Sequence, residues 1–392
     1  MYEKTNISNA KNKQTNKFRK PPWRIALIAN LKDDTIFDPN DPIDAGAEFD
    51  QVETVLAIRE ALESYGHEVV FLPGDRTLPV TISELSPDIC FNIAEGLRGD
   101  GREAQVPALC ELLQIPYTGS RVVTNAISLD KTQTKRIWRE AGLPTAPFLE
   151  FSSVDGIKNS ALRFPLFVKP TREGTGMGID SSAVVRNNKA LAERVKWIIK
   201  TYQQPALVEE YLTGREFTVG FIGNFGDRSK RFRPDFYDKD GFHWFPILEI
   251  DTQDSVSPGV YGHSAKEMEI FSSGAPEYIC PAQISEQFSQ RLINLTQKAA
   301  EALNVLDFGR VDIRLGASGE PYLLEINTLP GLNPLISDIC IMADAEGTDY
   351  EVLITEILYL AAQRYKLPFE PSRERKTIQS FIKRLQKTFI RQ

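Results

Sequence analysis

Residues 308–334 read FGRVDIRLGASGEPYLLEINTLPGLNP. Apolar positions alternate with polar ones over 308–315 and again over 322–327, and residues 317–320 between them hold a glycine, so the stretch is predicted to be a β-hairpin. Successive strand side chains point to opposite faces, which puts Arg310 with Asp312 on one face and Glu325 with Asn327 likewise. Antiparallel pairing would bring all four together. Two carboxylates and an amide oxygen are hard donors of the kind Mg²⁺ shares with nucleotide phosphates in octahedral coordination. A solvated face of alternating charge is the plain alternative, but Phe308, Val311, Ile313, Leu323, Leu324 and Ile326 make the flanks apolar.

Upstream, Lys169 closes an apolar run and is followed by Glu173, Gly174, Thr175, Gly176, Met177 and Gly178. Glycines let backbone N–H groups approach phosphate oxygens closely, and a lysine adds a positive charge. Taken alone, the motif fits an unliganded hairpin turn as well. The chain has no G-x-x-x-x-G-K-[ST] loop and no strand-embedded G-x-G-x-x-G, so neither of those nucleotide-binding designs is supported.

The surrounding pattern is α/β. A strand over 24–30, a helix over 50–66, strands over 68–71 and 89–92 and a helix over 103–113 alternate as a parallel sheet requires. Ser128 and Asp130 can cap a helix that runs to Ala141 and stops at Gly142. From there to 224 the pattern turns to strands, at 166–170, 206–211 and 216–223, around glycine turns. Residues 225–284 form a long irregular connection, and loops of that length usually serve function. Helices over 285–303 and 350–363 flank the hairpin.

At 392 residues the chain exceeds the roughly 250–300 residues at which single cores stop growing. The predicted division is a basic tail at 1–22, an N-terminal α/β domain at 23–125, a small α+β unit at 126–224, a C-terminal unit at 225–366 and a second tail at 367–392. The first tail lacks the apolar stretch of a secretory signal, and no run is long and apolar enough to span a bilayer, so a cytoplasmic location is expected. The net charge of -7 argues against nucleic-acid binding. Cys90, Cys110, Cys280 and Cys340 stand apart among apolar neighbours and read as reduced thiols. His67, beside Gly66 at a helix end, reads as a C-terminal helix cation. In the second tail Phe381, Ile382, Leu385 and Phe389 recur at helical spacing among Lys383, Arg384, Lys387 and Arg391; such a helix can contact a membrane surface, a partner or its own domain.

Five stretches in order, ALCELLQIPYTGS (108–120), LDKTQTKRIWREAGLPTAP (129–147), FPLFVKPTREGTGMGI (164–179), VEEYLTGREFTVG (208–220) and the hairpin itself, resemble the D-alanine:D-alanine ligase branch of the ATP-grasp superfamily. The resemblance implies two α+β units that clamp ATP, a Mg²⁺ or Mn²⁺ ion, small amino-acid substrates, a homodimer, and amide synthesis through an acyl phosphate. By position, Lys131 and Lys169 correspond to the phosphate-binding lysines, and Glu173, Gly174, Thr175 and Gly176 to the mobile loop over the phosphates. Glu209, Glu210, Tyr211 and Leu212 correspond to the adenine segment, and Glu216 to the ribose carboxylate. Asp312, Glu325 and Asn327 match the metal ligands, and Arg310 with the Gly331 backbone matches the groups that stabilise the tetrahedral intermediate. Lys266 resembles the lysine of the long loop, and Glu48 the glutamate that anchors the first substrate's ammonium.

Three departures touch the substrate side. NLKDDTIFDPNDPIDAGAEFD (30–50) replaces a short glycine-rich turn, LNPLISD (332–338) replaces a serine-containing stretch that grips a carboxylate, and Glu267 stands where a tyrosine flanks the loop lysine. A ligase for another amino acid or peptide, and a kinase-like phosphotransferase on the same nucleotide site, are the alternatives. His243 and His263 are candidate acid–base groups or plain surface residues.

Overall fold

A computed structural model describes residues 21–35, 37–157, 161–226, 228–255, 257–262 and 274–370. Lys266, His263 and the amphipathic stretch from Phe381 lie outside the described residues.

The first layer is a parallel sheet in the order β2 (Glu68–Pro73), β1 (Arg24–Ala29), β3 (Ile89–Asn92). Ile25 through Ala29 are fully buried, the continuous apolar pattern of a central parallel strand covered on both faces. One face carries α1 (Val52–Ser64) and the late helix α9 (Tyr350–Arg364), through Val55, Ile58 and Leu62 against Leu353, Ile357 and Leu360. The other carries α2 (Leu78–Leu85) and α3 (Gln105–Leu113).

Two short helices follow, α4 (Val122–Leu129) and α5 (Lys131–Glu140), separated by Asp130 in extended backbone. Its carboxylate accepts the Gln133 N–H at 2.9 Å, so Asp130 caps α5. An antiparallel sheet comes next, in the order β4 (Phe148–Phe151), β7 (Ala206–Glu210), β5 (Leu166–Pro170), β6 (Val184–Val185). It is backed by α6 (Asn188–Tyr202), whose Leu191, Val195 and Ile198 pack on Leu166, Val168 and Val208.

The largest sheet runs β11 (Glu277–Ile279), β10 (Leu248–Asp251), β8 (Glu216–Gly223), β12 (Phe308–Leu315), β13 (Pro321–Asn327), with β9 (Phe242–Trp244) also on β8. Helix α7 (Glu286–Ala302) covers one face, and α8 (Asp338–Ala345) contacts β8 through Ile339 and Met342 near Gly220. One buried residue ties layers together. Asp307, at φ 67, accepts the Gly119 N–H and pairs with Arg364, both at 2.8 Å, while its second oxygen accepts from Asn224 at 2.8 Å.

Several elements depart from the sequence reading. The region read as strands around glycine turns contains α6; Leu191, Val195, Ile198 and Tyr202 repeat at helical spacing, a signal the glycines overshadowed. Residues 225–284 hold three short strands rather than only irregular chain. β8 joins the large sheet, so the segment 126–224 contributes to two sheets. His67 is no helix cation: it is buried, stacks on Trp23, and its Nδ1 accepts the Trp23 N–H at 3.1 Å, which requires that nitrogen to be unprotonated.

Candidate active site

The hairpin pairs Arg310 with Asn327 and Asp312 with Glu325, then shifts register between Asp312 and Ile313. All four polar side chains therefore stand side by side on neighbouring strands. Asp312 is 8% exposed; one carboxylate oxygen accepts from Thr218 of β8 at 2.8 Å and the other from Asn327 at 3.2 Å. Glu325 faces Lys131 across 3.6 Å.

Beside them lies a buried charge cluster. Glu209 on β7 pairs with Lys169 of β5 at 3.0 Å and Lys135 of α5 at 2.9 Å. Burial alone would raise the Glu209 carboxyl, but the two ammonium groups carry it down to about 2. Lys131 precedes Lys135 by one helical turn, so both reach the same side of α5. Lys131 donates to the Glu173 carbonyl at 2.5 Å.

The glycine loop is pinned from the N-terminal layer. Thr175, Gly176 and Gly178 adopt positive φ. Glu48 accepts the Gly174 N–H, and Asp44 accepts the Gly178 N–H at 2.8 Å. Arg102, itself buried, pairs with Glu48 at 2.6 Å and Glu173 at 3.1 Å, and donates to the Arg172 carbonyl at 2.8 Å. Burial, partly offset by Arg102, leaves the Glu173 carboxyl at about 7.

These residues line two adjoining cavities. The first, about 700 Å³, is bounded by Lys131, Lys169, Glu173, Gly176, Glu209, Glu210, Tyr211, Leu212, Glu216, Asp312 and Glu325. Its far end is apolar where Phe167 stacks on Tyr211, and Arg314 pairs with Glu216 at 3.2 Å. The second, about 550 Å³, is bounded by Glu48, Glu95, Glu103, Gly174, Thr175, Arg310, Asn327 and Gly331. Lys131 and Glu325 line both, so the cavities meet between one ammonium and one carboxylate. In the second, burial first and then Glu48 push the Glu103 carboxyl up to about 8; burial and Glu103 raise Glu95 as well. Arg310 pairs with Asp338 of α8 and lies 3.7 Å from Asp312, and its Nε–H is buried without an acceptor.

Every described residue that the family resemblance picks out thus borders one cavity or the other. Lys135, Arg102, Glu95, Glu103, Arg314 and Asp338 went unread. Lys135 could have been found from its i+4 spacing to Lys131; the others owe their place to contacts distant in sequence. His243 lies away from both cavities, stacked on Phe236 and bonded to Glu346 at 2.7 Å. Among the described residues no group of three or more His, Cys, Asp and Glu side chains could hold a metal. Asp312 and Glu325 with the Asn327 amide suit Mg²⁺ only in company with nucleotide phosphates, which is how that ion is commonly held.

A family model for the C-terminal region of D-ala D-ala ligases matches residues 137–359. A D-alanine–D-alanine ligase of Aquifex aeolicus is 32% identical over 308 residues, covering 78% of this chain and 94% of that protein. An uncharacterized Sinorhizobium fredii protein, y4sG, is 32% identical over 313 residues, 78% of this chain and 86% of its own. The crystal structure of the Bacillus anthracis D-alanine–D-alanine ligase complexed with ATP shares the fold, with a TM-score of 0.64 over 88% of this chain and 99% of that one at 20% identity.

Proposed function

The chain belongs to the D-alanine–D-alanine ligase family, and from that premise we propose that it couples ATP hydrolysis to amide synthesis between a carboxylate and an amine. The single observation that carries the reading is the junction of the two cavities at Lys131 and Glu325. A nucleotide in the first would direct its terminal phosphate at a carboxylate in the second.

A carboxylate is a poor electrophile at neutral pH. Its oxygen attacks the γ-phosphorus, ADP leaves, and the amine nitrogen then displaces phosphate from the acyl carbon while giving up a proton. Lys131 and Lys169 neutralise charge on the phosphates, with Lys169 held by Glu209. Glu209 to Leu212 receive the adenine, and Glu216 the ribose hydroxyls. Asp312, Glu325 and Asn327 would hold a divalent cation, which when bound would offset charge on the moving phosphoryl group. Arg310 and the Gly331 N–H meet the oxyanion of the tetrahedral intermediate, a kind of contact worth roughly 3–4 kcal/mol per donor. Glu48 borders the substrate chamber and, through Gly174, fixes the loop of Thr175. An acyl phosphate must be kept from water, a role the family resemblance gives to Lys266, which lies outside the described residues.

The test is ADP release by the purified protein with Mg-ATP against D- and L-amino acids, singly and in pairs, with mass spectrometry of products. Substrate-dependent ADP with an amide product is expected. A phosphorylated end product with no amide would favour a phosphotransferase instead.

A further inference from the structure

Strand β12 carries a charged residue at every second position from Arg310 through Asp312 to Arg314. Alternate residues of a strand share a face, so the three form one row with a spacing of about 7 Å. Arg310 bounds the second cavity, Asp312 and Arg314 the first, and Arg314 stands directly opposite Glu216 of β8 in the sheet register. The first two have places in the proposed reaction, whereas Arg314 has none. It is 8% exposed and thoroughly engaged. Nη1 donates to Glu216 Oε2 at 3.2 Å, Nε to the Gly214 carbonyl at 3.2 Å, and Nη2 to the Gly259 carbonyl at 2.9 Å and the Tyr211 hydroxyl at 3.4 Å. Tyr211 donates its own hydroxyl to the Gly259 carbonyl at 2.7 Å. Gly259 has φ +74, and a side-chain carbon there would stand 2.5 Å from the Tyr211 hydroxyl, so the chain at 259 is seated on this pair as closely as only glycine permits. The guanidinium plane is therefore set by the turn before β8, by Tyr211 and by Gly259. A planar fork held in this way meets Glu216 at a fixed angle, as a lysine ammonium would not.

We infer that Arg314 is a positioning residue for nucleotide recognition: by holding one oxygen of Glu216 it aims that carboxylate at the ribose hydroxyls. This rests on the proposed placing of the ribose at Glu216. Two physical effects act together. A carboxylate offers about four acceptor sites, so the bond from Arg314 orients Glu216 without exhausting it. The wall that must receive an anionic nucleotide already holds Glu173, Glu209, Glu210, Asp312 and Glu325, and Arg314 balances the further negative charge that Glu216 adds at the end away from Lys131. Arg314 acts through Glu216 rather than on the reacting atoms.

Titration calorimetry of the full chain with Mg²⁺ and ADP, 2′-deoxy-ADP or 3′-deoxy-ADP reads binding without turnover. The wild type is expected to bind ADP at least about tenfold more tightly than one of the deoxy nucleotides, the scale of a lost hydrogen bond to a charged group. Arg314→Met keeps the length and apolar stem of the side chain; it should weaken ADP about tenfold and bring that ratio within about twofold of unity, because the deoxy nucleotide has no such contact to lose. Arg314→Lys keeps the charge without the fork and should recover part of the ratio. Arg314→Gln repeats the test should Arg314→Met fail to fold. A folded variant that weakens all three nucleotides equally, the mark of a merely structural role, keeps the wild-type ratio; it overturns the proposal and leaves the ribose reading intact. A wild type that binds the three alike overturns the ribose reading, and one that binds none overturns the nucleotide reading; the proposal falls with either.

Discussion

Replacing Glu209 by Gln tests the buried charge cluster directly. The carboxyl is held at about 2 against an ordinary 4.5, and at about 1.36 kcal/mol per pH unit this corresponds to roughly 3 kcal/mol of folding stability. Glu209 is only 3% exposed, so solvent screens little of that value. Because the folded value is depressed, the contribution is present in full above about pH 4.5 and is lost as pH falls toward 2. Glu209→Gln also leaves Lys135 and Lys169 without their shared anion, and burial already favours the neutral form of Lys135. Urea unfolding at pH 7 should show a loss of about 3 kcal/mol, shrinking as the pH is taken from 5 toward 3. A variant within about 0.5 kcal/mol of wild type at pH 7, or a difference that grows on acidification, would refute this account of the cluster.

Other outcomes follow from particular residues. Glu325→Ala should abolish ADP release while the circular dichroism spectrum and unfolding midpoint stay near wild type; retained turnover would remove Glu325 from the cation site. Arg102→Ala strips two half-buried carboxylates of their shared cation and should cost roughly 3 kcal/mol, with a raised KM for ATP as the glycine loop loosens; steady-state kinetics and unfolding curves read both effects. Glu356 is buried, accepts the Tyr237 hydroxyl at 2.7 Å, and burial raises its carboxyl to about 7. A raised value favours the folded state below pH 4.5, and that advantage is lost as pH rises through 7. Glu356→Gln should therefore raise the melting midpoint at pH 8 and change it little at pH 5, and equal midpoints at pH 8 would contradict the burial effect.

The parts of the molecule legible in the sequence are those governed by local periodicity. The 308–327 hairpin was readable because alternation and a turn suffice to set its register, and Asp312 opposite Glu325 follows from that register alone. The glycine loop was readable by composition. What the loop touches was not: Asp44, Glu48 and Arg102 reach it from another layer. The Arg310–Asp338 pair escaped for the same reason, since Asp338 arrives on a helix after a turn whose path depends on packing against β8. His67 was misread because its position beside a glycine suggested exposure, whereas Trp23 and Tyr359 enclose it. Strands β9 to β11 are three or four residues long, too short to show a period without their partners.

The contacts of Asp307 act as a mechanical bolt. Its carboxylate is shared by the loop after α3 (Gly119), the residue after β8 (Asn224) and the last helix (Arg364), so turning the parallel sheet against the large sheet would strand a buried charge at a cost of several kcal/mol. One carboxylate thereby couples the two layers. The four-stranded sheet and its glycine loop are tied to those layers by the hydrogen bonds at Asp44 and Glu48 and by the ion pair of Arg102 with Glu173, so loosening the loop requires the loss of that ion pair as well.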